Sequence, residues 1–262
     1  MAADGASKPA SVASTVRSLV FMLFQLAVTP PYAIAIVGLF WLPPAQRFAL
    51  CASWCRVNLW AARAICGIRH EIVGLENLPP TPHILMSKHS STWETLFLTQ
   101  LGAPMAYVAK KELLAIPFFG WAFRFASPIT IDRRAGRDAM AQIVEQGRER
   151  FGQGFWIVIY PEGTRIAAGR RAKYKSGGAR LAVAMGAPVL PVAHNAGWLW
   201  PKGVFRKRPG TVTLTIGAPI SAVGRDPAEL TQEVENWVEG EVERLGHPLR
   251  DRTQRTGTEL AA

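Results

Sequence analysis

Residues 18–46 carry no charged side chain, reading SLVFMLFQLAVTPPYAIAIVGLFWLPPAQ. A run of this length can cross a bilayer core of about 30 Å. Pro30 and Pro31 interrupt it, and proline removes a helical donor and crowds the preceding turn. Read as two helices, 18–29 and 31–42, each half is about 18 Å long at the helical rise, too short to span the core. Lys8 and Arg17 precede the run, and Arg47, Arg56, Arg63 and Arg69 follow it. Positive residues favour the cytoplasmic side, so charge on both flanks fits a re-entrant or interfacial hairpin broken at the prolines better than one kinked span. Residues 42–46 show no small-residue cleavage pattern of a signal peptide. The stretch 49–66 continues in helical fashion, mixing Arg56 and Arg63 with Trp54, Leu59, Trp60 and Ile65. It suits either a headgroup boundary or a first helix packed on the main domain.

Beyond residue 69 the pattern changes. Short apolar runs at 70–73, 83–86, 107–109, 128–131, 155–160, 189–193 and 212–216 read as strands, and 92–100, 137–151 and 177–185 read as helices between them. The run FWIVIY at 155–160 is apolar on both faces, as a covered central strand should be. Such alternation predicts an α/β fold with a largely parallel sheet flanked by helices. A final helix opens at Asp226-Pro227-Ala228-Glu229 with a cap, an N1 proline and an N3 carboxylate. Its apolar stripe is Leu230, Val234, Trp237, Val238, Val242 and Leu245. The expected division is a flexible N-terminus (1–17), a membrane-associated helical segment (18–69), an α/β domain (70–246) and a disordered tail (247–262).

Composition narrows the partners. Apolar residues make up 49% of the 262, which excludes a disordered polymer. The formal charge of +11 calls for an anionic partner, and beside the apolar segment a membrane fits better than nucleic acid. The three cysteines, Cys51, Cys55 and Cys66, are odd in number and confined to one short region. That is not a secreted disulfide framework. With no third ligand at metal-site spacing, no metal site is expected.

Two polar windows follow strands. In Ser87-Lys88-His89-Ser90-Ser91-Thr92-Trp93-Glu94 a strand ends, a turn follows and a helix begins, the place where α/β sheets bind ligands. Imidazole can take a proton from a hydroxyl near neutral pH, and a carboxylate on its other nitrogen would set the tautomer. Five residues apart on one helix, His89 and Glu94 would not face each other; with His89 in the turn, Glu94 can fold back. Equally, Ser91-x-x-Glu94 is a capping box, in which Glu94 would bind the Ser91 amide. The second window, Tyr160-Pro161-Glu162-Gly163-Thr164-Arg165, sets a carboxylate, a hydroxyl and a guanidinium after FWIVIY. Arg165 could bind a phosphate bidentately, or the stretch could be turn punctuation. Neither a Gly-x-Ser-x-Gly elbow nor a P-loop is present.

Together these windows resemble the glycerolipid acyltransferase family. His89-x-x-x-x-Glu94 looks like its first motif, which usually ends in Asp. Phe119-Gly120 through Ile131-Asp132-Arg133 looks like the second, Tyr160-Pro161-Glu162-Gly163-Thr164-Arg165 like the third, and Val189-Leu190-Pro191-Val192 like the fourth. Lys110-Lys111-Glu112-Leu113 fits the stretch between the first two. The resemblance implies an α/β domain with an N-terminal membrane-docking helical element. It implies transfer of a fatty acyl group from acyl-CoA or acyl carrier protein to the sn-2 hydroxyl of a lysophospholipid, lysophosphatidate, on the cytoplasmic face of a bacterial inner membrane. It further implies His89 as base and Glu94 as its partner. Lys110, Arg133 and Arg165 would hold the acceptor phosphate, and Glu162, Gly163 and Thr164 would shape its pocket. No cofactor and no nucleic acid is implied. Another lyso-lipid or lipid A-type acceptor is the neighbouring alternative, and a non-enzymatic basic membrane-binding protein is the alternative of a different class. Arg170, Arg171, Lys173 and Lys175 form a basic loop suited to anionic lipid, an acidic carrier, or plain solvation. His194 and Asn195 read as structural.

Overall fold

The computed structural model describes residues 12–131, 138–203 and 205–248. Helix α1 (Val12–Gly38) and helix α2 (Pro44–Cys66) form an N-terminal hairpin. Seven strands follow: β1 (Ile68–Val73), β2 (Ile84–Ser87), β3 (Met105–Lys110), β4 (Ile129–Ile131), β5 (Trp156–Ile159), β6 (Val189–His194) and β7 (Gly210–Ile216). Between and after them lie α3 (Trp93–Phe97), α4 (Phe119–Phe125), α5 (Asp138–Gly152), α6 (Gly177–Met185) and α7 (Pro227–Leu245).

The hairpin does not break where proline statistics place it. Helix α1 runs unbroken through Pro30 and Pro31, and the chain turns instead at 39–43. Proline has no N–H, so the carbonyls of Leu26 and Ala27 lose their helical donors. Packing of α1 along both α2 and α4 offsets that loss. Residues 12–17, expected to be loose, form the first turns of α1. At 27 residues the helix is about 40 Å long, more than a bilayer core needs. Leu19, Val20, Leu23, Leu26 and Ile34 are exposed on it, while Phe21, Ala33 and Ile36 are buried. Phe21 meets Trp200 edge-to-face at 5.2 Å, and Ser18 Oγ accepts from the Lys207 N–H at 2.8 Å. Helix α2 stops at Gly67, whose left-handed φ of 71° lets its N–H close on Ala62 and Arg63.

The sheet order is β1-β7-β6-β2-β5-β3-β4. All pairings are parallel except β6 with β7. Every residue of β2, β5 and β6 is buried, whereas edge strand β1 is mostly exposed or half-buried. This burial explains why the central strands read as continuous apolar runs rather than alternating ones. Helix α6 packs on this centre so closely that a Cβ at Gly178 would sit 3.1 Å from Met86 Cε. Helix α7 is capped by Asp226, whose Oδ1 accepts from the N–H groups of Ala228 and Glu229 at 2.8 and 3.0 Å. It buries Leu230, Val234, Val238 and Leu245.

Parallel pairing has one consequence for the site. The carboxyl ends of β2, β3, β5 and β6 lie along one sheet edge, so segments distant in sequence meet there. His89, Lys110, the 160–165 turn and His194 all follow or end these strands.

Candidate active site

Strand β2 ends at Ser87, and His89 lies in the turn before α3. Its Nδ1 is 2.8 Å from Glu94 Oε1. The same oxygen accepts from the Ser90 and Ser91 amides at 3.1 and 3.0 Å. Glu94 therefore serves both as a capping carboxylate and as the partner of the imidazole, two roles that the sequence presents as competitors. Ser91 Oγ completes the turn by accepting from the Trp93 N–H at 3.0 Å. Glu94 is fully buried. Burial pushes its carboxyl up, but the His194 ring, the His89 bond and the Ser91 amide hold it below its ordinary value. An ionised carboxylate only accepts, so Nδ1 of His89 carries the proton and Nε2 is left as the basic nitrogen.

The His89 ring stacks on Tyr160 at 3.9 Å with 17° between planes. Its main chain is held on both sides by the segment after β5. The His89 N–H donates to Glu162 Oε2 at 2.6 Å, and the His89 carbonyl accepts from the Ile166 N–H at 2.8 Å. The turn between these anchors needs Gly163, whose φ of 68° is left-handed. Glu162 is thus turned inward, against His89 and Lys88, rather than into the pocket.

A cavity of about 800 Å³ opens beside His89, lined by α1, α2, α4 and the carboxyl ends of β3 and β5. Its walls are chiefly apolar or aromatic, with Tyr32, Ile36, Phe48, Trp54 and Phe123 among them, and Cys51 and Cys55 face it together from α2. Lys110, Gly163, Thr164, Arg165, Lys175 and Lys202 supply its polar part. Arg165 Nε is buried without a hydrogen-bond partner among the described residues. Arg133 lies outside the described residues, as does Asp132.

Three contributors escaped the sequence reading. Lys202 lines the cavity and donates to the Arg165 carbonyl at 3.0 Å; it follows no recognisable motif. It is drawn in because Ser91 Oγ donates to the Trp200 carbonyl at 2.7 Å and Ser91 bridges Pro201. His194, read as structural, faces Glu94 Oε2 at 3.8 Å. It donates from Nε2 to the Lys88 carbonyl and accepts at Nδ1 from the Ala196 N–H, and burial lowers its basicity. Lys88 is the third, 2% exposed between two carboxylates. A charged neighbour of the motif histidine normally reads as solvated, so only a signal for burial could have singled it out.

Burial pushes Glu162 up to about 7, Lys88 notwithstanding. The folded protein therefore binds a proton that the unfolded chain, with a carboxyl near 4.5, has released. Stability is expected to decline as pH rises from about 4.5 through about 7 for this group. Melting temperatures measured across that window should fall more steeply for the wild type than for Glu162→Gln; parallel curves would refute the assignment.

Residues 69–195 match the family model described as Acyltransferase. The chain is 43% identical over 233 residues to a 1-acyl-sn-glycerol-3-phosphate acyltransferase of Pseudomonas aeruginosa, covering 86% of this chain and 91% of that one. A protein of the same description from Limnanthes alba is 30% identical over 206 residues, covering 77% and 73%. The crystal structure of the 1-acyl-sn-glycerophosphate (LPA) acyltransferase PlsC from Thermotoga maritima superposes with a TM-score of 0.75 at 26% identity, covering 89% of this chain and 96% of that one. Identity at this level over so much of the chain is not confined to the motif windows: the chain belongs to the acyltransferase family, in its 1-acyl-sn-glycerol-3-phosphate acyltransferase branch.

Proposed function

We propose that the protein transfers a fatty acyl group from acyl-CoA or acyl carrier protein to the sn-2 hydroxyl of lysophosphatidate, giving phosphatidate. The observation that carries this reading is the His89–Glu94 pair at 2.8 Å beside a chiefly apolar cavity that has Lys110, Arg165, Lys175 and Lys202 in its lining. His89 Nε2 removes the hydroxyl proton as the oxygen attacks the thioester carbonyl. Glu94 holds the Nδ1 proton and offsets the imidazolium charge. The tetrahedral intermediate collapses, the C–S bond breaks, and the proton held by His89 passes to the departing thiolate. The apolar walls suit an acyl chain, whose burial is favourable by about 0.8 kcal/mol per CH₂. Purified protein given labelled acyl-CoA and a panel of lyso-acceptors, with products identified by mass, tests the reading directly; no lysophosphatidate turnover would end it.

Within this reading Arg165 and Lys110 bind the acceptor phosphate, supported by Arg165 Nε, which has no hydrogen-bond partner among the described residues and belongs to a residue lining the cavity. A hydrogen bond to a charged group contributes about 1.5–3 kcal/mol. Arg165→Ala is therefore expected to raise the KM for lysophosphatidate about 10- to 100-fold, with a much smaller change for a neutral lyso-acceptor. Equal losses on both acceptors would exclude a phosphate role.

We place the enzyme on the cytoplasmic face of the inner membrane. The exposed apolar side of α1 supports this, as do Leu113, Ile116, Phe118 and Trp121, which are exposed at and before α4, the helix packed on α1. Removing residues 1–46 would not test docking cleanly. It strips Phe21 from Trp200 and opens the cavity, and losing a buried Phe alone costs about 3–5 kcal/mol. Leu23→Asp with Leu26→Asp changes only the exposed side. That variant is expected to move to the soluble fraction with its melting temperature retained, and persistent membrane binding would place the anchor elsewhere.

A further inference from the structure

Behind the catalytic turn lies a buried charge cluster that acyl transfer, as described above, does not use. Lys88 Nζ sits 2.7 Å from Glu162 Oε1 and 2.7 Å from Glu239 Oε1. Tyr174 OH donates to the same Glu239 oxygen at 2.9 Å. Lys88, Glu162, Glu239 and Tyr174 are each no more than 4% exposed. Arg171, itself exposed, reaches the other Glu239 oxygen from outside at 4.0 Å, so Lys88 is the buried cation, set among two carboxylates and a phenol. Such a group is costly to bury, and well-packed apolar residues of similar volume would commonly fold at least as stably. Stability alone is thus a weak account of it.

Its connections point to the histidine. Glu162 uses one carboxylate oxygen on Lys88 and the other on the His89 N–H, at 2.6 Å. Lys88, immediately before His89, is itself fixed through its main chain: its N–H donates to the Val192 carbonyl, and its carbonyl accepts from His194 Nε2. Glu239 comes from α7, outside residues 69–195 matched by the family model. Tyr174 ties in the segment whose next residue, Lys175, donates its N–H to the Pro161 carbonyl and lines the cavity.

We infer that Lys88 and Glu239 are positioning residues: acting through Glu162, they hold the His89 main chain, and so its imidazole, in the orientation that proton transfer requires. The inference rests on His89 being the general base. The arrangement makes the C-terminal helix part of the catalytic apparatus although no residue of α7 lines the cavity. Groups facing Glu162 are Lys88 and the His89 amide from the end of β2, Glu239 from α7 and Tyr174 from the segment before α6.

The test is the full-length double variant Lys88→Met with Glu239→Met, which removes both members of the pair at nearly constant volume. Two readouts apply: kcat and KM for acyl-CoA and lysophosphatidate, and the ring signals of His89 in ¹⁵N-histidine spectra, identified by their loss in His89→Ala. A small displacement of a reacting group can cost about 100-fold, so kcat is expected to fall about 10- to 100-fold while both KM values stay within about three-fold. The His89 signals should move. Wild-type kcat in the folded double variant would overturn the inference. So would a fall in kcat with unmoved His89 signals, since the loss would then not pass through His89. If the double variant does not fold, Glu239→Gln decides by the same readouts, with a kcat loss of about 3- to 10-fold expected because glutamine keeps an acceptor for Lys88 and Tyr174. Absence of lysophosphatidate turnover in the wild type would reject the substrate assignment alone, and the His89 signals would still judge the positioning.

Discussion

Replacing His89 with alanine is expected to lower kcat about 10²–10⁴-fold, the usual cost of losing a general base. KM for both substrates should change little, since the imidazole acts on the hydroxyl proton rather than on the bulk of either ligand. The fold should survive, because what is lost is one half-buried ring stacked on Tyr160 and one hydrogen bond to Glu94. Glu94 keeps its two amide donors in the variant, so its carboxylate is not left bare. Circular dichroism and membrane fractionation should match the wild type. A folded His89→Ala enzyme with near-normal turnover would refute the mechanism, whatever the other variants do.

Glu94→Gln is expected to cause a comparable loss for a different reason. Oε1 accepts three N–H donors, from the His89 ring and the Ser90 and Ser91 amides. A glutamine that keeps its carbonyl there preserves the turn and the tautomer but supplies no negative charge for the imidazolium. Its NH₂ then occupies the Oε2 position, facing His194 Nε2 at 3.8 Å. That nitrogen already donates to the Lys88 carbonyl, and Nδ1 of the same ring accepts from Ala196, so His194 cannot accept the new donor. The flipped amide is worse: it sets NH₂ against two backbone donors and forces the wrong His89 tautomer. A fall in kcat of about 10²–10⁴-fold follows, with a stability loss of about 1–3 kcal/mol for the unsatisfied buried amide. Because His89 and Glu94 act as a unit, the double variant His89→Ala with Glu94→Gln should be hardly slower than His89→Ala alone. Additive losses would show that Glu94 contributes to turnover independently of His89. Glu94→Asp is expected to retain part of the activity, since the shorter side chain keeps the charge but cannot reach the ring and both amides together.

Glu94 satisfies two sequence patterns with one side chain. A carboxylate three residues after a serine at a helix start satisfies a local rule completely, and a carboxylate five residues after a histidine satisfies a chemical one. Local pattern offers no way to choose, because both readings use the same atom. Only coordinates show that one buried oxygen meets both demands, 2.8 Å from His89 Nδ1 and bonded to the Ser90 and Ser91 amides.

All seven strands and the helices α5, α6 and α7 were legible from the chain alone, within a few residues at their ends. Burial on both faces writes a strand such as β5 as an unbroken apolar run, and Asp226-Pro227 marks the start of α7 through hydrogen bonds that span only three residues. The two windows that carry chemistry were legible for the same reason: each is short and directly follows a strand. What the sequence could not determine depends on groups far apart along the chain. Continuation of α1 through Pro30 and Pro31 is decided by its packing on α2 and α4, which outweighs the local loss of two helical bonds. The inward turn of Glu162, the approach of His194 to Glu94 and the placement of Lys202 at the cavity join residues that parallel strand pairing brings to one edge, and the burial of Lys88 against Glu239 adds the packing of α7 on β6 and α6. Local patterning records which residues must be buried and where the chain must turn. It does not record which buried charge meets which, because that follows from strand order, and strand order is set by the packing of the whole sheet.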